Sequence, residues 1–213
     1  KMTLPILYSF RRCPYAMRAR MALILASKKC ELREILLKNK PEEMLKTSTK
    51  GTVPVLQFQD RVLDESLDII SWATETHISN VHTYLVAEEI FSAELIHLFD
   101  TKFKYHLDRY KYASRYGEDP KLHRQECKII LDCLESKIDP RPWIFGKQVS
   151  LLDIAILPFI RQCRIANPNW FFAQKFPNVI NLLDYFEKSD LFAQAMQKYE
   201  LWDPAKNNGN IFP

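Results

Sequence analysis

The sequence predicts an α/β N-terminal domain of order βαβαββα with a four-stranded mixed sheet, followed by an all-α C-terminal domain. Residues 1–78 alternate short apolar runs with helical segments, the pattern of a sheet with helices on its faces. From residue 79 strand signals stop and long helical periodicities replace them. Only 4 glycines occur in 213 residues, which argues against a turn-rich all-β fold. The expected domains are residues 1–78, a linker at 79–87 and a helical domain at 88–213.

The first strand is expected at residues 4–9, bounded by Pro5 and two arginines. A helix follows over 14–27, with Ala16, Ala19, Leu23 and Ala26 on one stripe. It opens on Cys13-Pro14, and proline suits the first helical position because its missing N–H has no intrahelical partner anyway. Residues 31–37 alternate polar and apolar and read as a second strand. A short helix follows near Pro41–Leu45. Pro54 conflicts with a strand over 52–58; the conflict resolves if Pro54 starts the strand, and a cis Val53-Pro54 bond is one way to bend the chain there. Val55–Phe58, an Asp60-Arg61 turn and Val62-Leu63 make a hairpin, and Asp64-Glu65-Ser66 starts the next helix. The first βαβ requires a parallel pair and the hairpin an antiparallel one, hence a mixed sheet.

In the second half, residues 86–115 read as one or two aromatic-rich helices, 121–138 as another, and 177–188 and 190–198 as two shorter ones. Ser150-Leu-Leu-Asp153 before an apolar run is a capping box. The helix after it is apolar on nearly every side and should be the buried core of this half. The polar Lys206–Asn210 stretch reads as a mobile tail.

Composition narrows the function. Net charge is +4, but residues 1–78 carry 13 Lys and Arg against 9 Asp and Glu, whereas residues 79–213 carry 17 of each. The excess surrounds Cys13 and suits a small anionic ligand. It is too modest and too dispersed for nucleic acid. There is no Walker pattern and no GxGxxG. The five cysteines, Cys13, Cys30, Cys127, Cys133 and Cys163, form no CxxC pair, which points to a reducing compartment, and few clustered histidines leave no expected metal. The longest apolar stretch, Leu151–Ile160, is interrupted by Asp153 and Pro158, too short to span a membrane. A cytoplasmic location is expected.

Cys13 carries the sharpest chemistry. A thiol at a helix N-cap meets unsatisfied backbone N–H groups and the positive end of the dipole, which favour thiolate. A small buried cysteine is the competing reading. Ala16 in the fourth position of Cys13-Pro14-Tyr15-Ala16 leaves no local thiol to close a disulfide, so a mixed disulfide at Cys13 would be resolved by a thiol from solution. Val53 before Pro54 can pair its backbone with a short peptide, or simply start a strand. Ser66 at a helix N-terminus can bind a carboxylate, and Glu65 an ammonium, or both can merely cap. Lys38 can anchor a second carboxylate or be a solvated side chain. Tyr8 and Ser9 are rival hydroxyls. Tyr15, Tyr105, Tyr112 and Trp170 are candidate walls of a second-substrate pocket, although helix core is the commoner use of such residues.

Order and spacing together resemble the cytosolic glutathione transferases over essentially the whole chain: a thioredoxin-like βαβαββα unit, Val53-Pro54, Glu65-Ser66 and a helical half with an S-x-x-D box. Within them, Cys13-Pro14-Tyr15-Ala16 and Leu37-Lys38-Asn39-Lys40-Pro41-Glu42 resemble the omega class, which uses cysteine where others use tyrosine or serine. The resemblance implies that Cys13 forms a mixed disulfide with glutathione and that Val53, before cis-Pro54, pairs with its cysteinyl part. It also implies that Glu65 and Ser66 hold the γ-glutamyl end, that Lys38 reaches the glycyl carboxylate, and that Ser150 and Asp153 are structural. The implied function is a glutathione-dependent thiol transferase or reductase, acting in redox chemistry or detoxification on small-molecule thiols, electrophiles or disulfides, as a homodimer. The alternatives are a conjugating transferase of the Tyr or Ser type and a non-catalytic stress or regulatory relative.

Overall fold

A computed structural model describes residues 3–213 of the chain. They form two compact units: residues up to Ser79 together with Ser189–Pro213, and Asn80–Lys188. The expected helical domain at 88–213 thus divides, because its last 25 residues pack with the first unit.

In the first unit β1 (Ile6–Ser9), α1 (Pro14–Ala26) and β2 (Cys30–Glu34) make the βαβ. They are followed by α2 (Glu42–Thr47), β3 (Val55–Gln57), β4 (Val62–Leu63) and α3 (Ser66–Ala73), and the unit is completed by α11 (Asp190–Ala195) and β5 (Asn210–Phe212). The sheet order is β4-β3-β1-β2-β5. β1 and β2 are parallel with Ile6 opposite Glu31, and β3 runs antiparallel to β1 and β4.

The sheet therefore has five strands and not the expected four. β5 pairs antiparallel with β2, Cys30 opposite Phe212, and closes an edge that would otherwise present unpaired backbone groups. Three residues carry no readable alternation, and the polar run before them looked like a loose tail. Gly209 brings its backbone close to Glu31, whose side chain would have to shift to admit a Cβ there.

α1 departs from the amphipathic reading. It packs against both α3 and α11, and even Arg18 and Arg20 are fully buried. Burial of a guanidinium requires partners: Arg18 Nη1 donates to Ser66 Oγ at 3.3 Å, and Arg20 bonds Ser9, Glu34 and two backbone carbonyls. The helix stops at Ser27, which adopts a left-handed conformation at φ 52° while Lys28 N–H returns to Leu23 O.

The second unit comprises α4 (Val86–Leu98), α5 (Lys104–Lys111), α6 (Ala113–Tyr116), α7 (Pro120–Lys137), α8 (Leu151–Ala166), α9 (Pro168–Phe172) and α10 (Pro177–Lys188). A π-helical turn, Phe99–Phe103, joins α4 to α5 and buries both phenylalanines. Gly117 ends α6 at φ 65°, where a side chain would be strained. α8 is buried from Leu152 to Ile160 and packs against α4, α5, α9 and α10. Its start is a complete capping box. Asp153 N–H donates to Ser150 Oγ at 3.2 Å, Ser150 N–H returns to Asp153 Oδ2 at 2.8 Å, and Ile144 N–H reaches Asp153 Oδ1 at 3.2 Å.

Candidate active site

Cys13 is the N-cap of α1, extended at φ −76° and ψ 125°, with Pro14 as the first helical residue. The turn before it is closed by Cys13 N–H to Phe10 O at 2.9 Å, and the first helical bond runs from Met17 N–H to Cys13 O. These bonds place Cys13, half-buried, at the N-terminal end of a 13-residue helix. Across the chain, the Val53 carbonyl accepts from Cys13 Sγ at 3.8 Å. The Val53-Pro54 peptide is cis. Val53 and Pro54 are buried, and Val53 shares an apolar cluster with Tyr8, Ala16, Ile35, Met44, Val55 and Trp202, against which Cys13 packs.

Ser66 is the first residue of α3 and buried, and Glu65 is its N-cap. The Arg18–Ser66 bond connects this helix start to α1. The fold thus links Cys13, Val53 and Ser66 through direct contacts of Cys13 and of its own helix. Glu65 is exposed and forms an ion pair with Lys50, whose ammonium also donates to Asp64 O at 3.1 Å. Lys38 is exposed in a turn bridged from Leu36 to Asn39. Lys40 instead sets its ammonium beside Gly51, two residues before Val53. Sequence reading singled out neither Lys40 nor Lys50, because a lysine carries no local pattern that distinguishes an oriented ammonium from a solvated one.

The rival hydroxyls are both committed elsewhere. Tyr8 is 1% exposed, its hydroxyl accepts from Arg33 Nη1 at 3.0 Å, and burial raises its pKa above the ordinary phenol value. Ser9 is 0% exposed and accepts from Arg20 Nε at 2.9 Å. Arg33 also lies 4.2 Å over the Trp202 ring, a stacking contact that no sequence signal announced.

The candidate pocket walls have other neighbours. Tyr15 lies under the Arg18 guanidinium. In the second unit Tyr105 faces Arg109 and the His106 and His123 rings, Tyr112 lies between Lys111 and Arg115, and Trp170 meets Tyr110 and Arg124. Among the described residues of that unit no ring contact joins Tyr105, Tyr112 and Trp170. Tyr110, not Tyr112, is the tyrosine against Trp170.

Among the described residues, all five cysteines are thiols and not disulfides. No group of three or more His, Cys, Asp or Glu among them is placed to hold a metal ion, and no described helix is long and apolar enough to cross a membrane.

Comparison with known proteins supplies the family. Residues 7–80 match the family model described as the glutathione S-transferase N-terminal domain, and residues 105–184 the one described as the C-terminal domain. Glutathione S-transferase L3 of Arabidopsis thaliana is 29% identical over 89% of this chain and 80% of its own length. Glutathione S-transferase U19 of the same plant is 29% identical over 81% and 76%. Among solved structures, the Tau class glutathione S-transferase of mango, Mangifera indica, superposes with a TM-score of 0.78 at 23% identity, covering 92% of this chain and 93% of that one. A Pseudomonas fluorescens family member solved with two glutathione molecules bound has a TM-score of 0.76 at 18% identity over 91% and 92%. These relatives are mostly plant proteins and do not single out the omega class. An N-terminal thioredoxin-like unit and a helical unit, each matched by its own family model, place this chain in the cytosolic glutathione S-transferase superfamily.

Proposed function

We propose that this chain is a glutathione-dependent thiol transferase of the cysteine type, as the omega-class resemblance implied. The observation that carries the proposal is Cys13 at the N-cap of α1 with its sulfur 3.8 Å from Val53 O. N–H groups at the helix start and the helix dipole favour thiolate, while the S–H bond to Val53 O favours thiol. A bound glutathione would offer its cysteinyl N–H to that same carbonyl. It would displace the thiol and tip the balance toward thiolate.

The chemistry is two successive exchanges. Thiolate Cys13 attacks the glutathione sulfur of a mixed disulfide. The S–S bond breaks, a Cys13–glutathione disulfide forms, and the substrate leaves as thiolate. A second glutathione thiolate then attacks that disulfide, which releases oxidised glutathione and regenerates the Cys13 thiolate. Dehydroascorbate reduction fits the same cysteine, with two glutathione molecules supplying the electrons. Glu65 and Ser66 would hold the γ-glutamyl end and Val53 with Pro54 the cysteinyl part. The glycyl carboxylate falls to Lys38 or Lys40, and the position of the Lys40 ammonium beside Gly51 favours Lys40. A homodimer in the cytoplasm completes the reading.

A conjugating mechanism at Tyr8 or Ser9 is the second reading, and the burial of both residues, 1% and 0% exposed, weighs against it. The Cys13→Ala variant separates the two. It should abolish reduction of a glutathionylated peptide and lack the mass increase of one glutathione expected on the wild type. Retention of thiol transfer in that variant would sink the proposal, and a chain that binds no glutathione at all would favour the non-catalytic alternative.

A further inference from the structure

Glu34 ends β2 on the same buried face as Cys30 and Leu32. Its carboxylate is 6% exposed and divided between two partners. Oε1 accepts the backbone N–H of Arg11 at 2.6 Å, and Oε2 is ion-paired with Arg20. Arg11 lies two residues before Cys13, in the turn closed by Cys13 N–H to Phe10 O. Arg20 belongs to the helix that Cys13 caps. One carboxylate therefore clamps both arms of the thiol's mount, the turn leading into Cys13 and the helix leading out.

The clamp is itself braced. Arg20 Nη1 donates to Ala195 O at 2.9 Å and Gln197 O at 3.3 Å, Arg11 Nη1 reaches Met196 O at 3.4 Å, and Trp202 N–H donates to Glu34 O at 2.8 Å. A buried ion pair is a poor route to stability, because removing two charges from water is costly and apolar residues fill such sites as well or better. What it supplies is direction. In a low-dielectric setting, charge-assisted hydrogen bonds hold a donor to a narrow geometry.

We propose that Glu34 is a positioning residue for Cys13, holding the Phe10–Cys13 turn through the Arg11 amide so that the sulfur stays at the N-terminal end of α1 and against Val53 O. This rests on the reading of Cys13 as the reactive thiolate. Without the carboxylate, the Arg11 N–H and the buried Arg20 lose their common acceptor. The turn relaxes and the sulfur leaves the N-terminal end of α1, where backbone N–H groups and the helix dipole favour thiolate.

The experiment is the pH dependence of Cys13 alkylation by iodoacetamide, followed by mass spectrometry, in the wild type, Glu34→Gln and Glu34→Ala. Hydrogen exchange of the wild-type Arg11 amide is measured alongside. The wild type should titrate well below ~8.5. Both variants should move upward by about one pH unit, Ala further than Gln, toward the unperturbed thiol. The Arg11 amide should exchange as slowly as the core of β1 and β2. A wild-type midpoint near ~8.5 overturns the thiolate reading together with this proposal. A low wild-type midpoint left unmoved in folded variants overturns the positioning role alone. Should neither variant fold, a fast-exchanging Arg11 amide in the wild type overturns it and a protected one supports it.

Discussion

Asp153 shows how a single carboxyl can serve structure at a cost in charge. It is fully buried, three donors converge on it, and burial still pushes its pKa up to about 6 from 3.8. The folded state therefore binds its proton more tightly than the unfolded chain. Its contribution to stability is full below pH ~3.8 and is lost as pH rises through about 6. The thermal midpoint of the wild type minus that of Asp153→Asn should consequently fall between pH 4 and 6; a difference that rises over that window contradicts the assignment. The cysteines divide by the same logic. Burial pushes the Cys30 thiol up to about 12, and Cys127 and Cys163 are 0% exposed. Native alkylation should mark Cys13 and the exposed Cys133, with Cys30, Cys127 and Cys163 reacting only after denaturation, as read by peptide mapping.

Among the elements, α5 and α7 are joined by an unusual polar contact. His106 Nδ1 and His123 Nδ1 are 2.8 Å apart, an arrangement that needs one ring to donate and the other to accept. Glu118 Oε2 accepts from His123 Nε2 at 2.5 Å and pairs with Arg109, while Lys102 and Glu126 face His106. Burial lowers the His106 pKa below 6.5, so the fold prefers the neutral ring. Stability from this contact is present above pH 6.5 and lost as pH falls through the folded value. His106→Gln should narrow the loss of thermal midpoint between pH 7 and 5 relative to the wild type, and an unchanged slope would count against the contact. The elements also differ in legibility. α8 was readable because Ser150, Asp153 and a long apolar run agree with one another. α1 was misread as amphipathic because the cover for its second face, α11, lies far along the chain, Ala195 being 175 residues beyond the Arg20 it contacts.

At the scale of the whole molecule, the return of residues 189–213 to the first unit is the main structural finding. β5 closes the β2 edge, Trp202 enters the cluster beside Cys13, and Arg20 takes two of its acceptors from this segment. A chain ending at Lys188 should lose several degrees of thermal midpoint and self-associate through the exposed β2 edge, as seen by size-exclusion chromatography; an equally stable monomeric truncation would show that the segment is dispensable.

What the sequence determined by itself was local or repeated along the chain. The βαβαββα order, the helical second half, the proline after Cys13, the bend at Val53-Pro54 and the α8 capping box all follow from period, turn chemistry and capping, which act over a few residues. The candidate thiol was legible for the same reason: Cys-Pro at a strand-to-helix junction is a short-range signal. Only the tertiary structure decided that α1 is buried throughout Ala16–Leu23, that a fifth strand exists, and that Lys40 sets its ammonium beside Gly51 while Lys50 pairs with Glu65. It alone decided that Glu34 joins the Arg11 turn to Arg20. Each of these depends on a partner 11 to 185 residues away. Contacts at that separation are chosen by which buried polar groups and sheet edges remain to be satisfied once the chain has folded, and no residue pattern announces them.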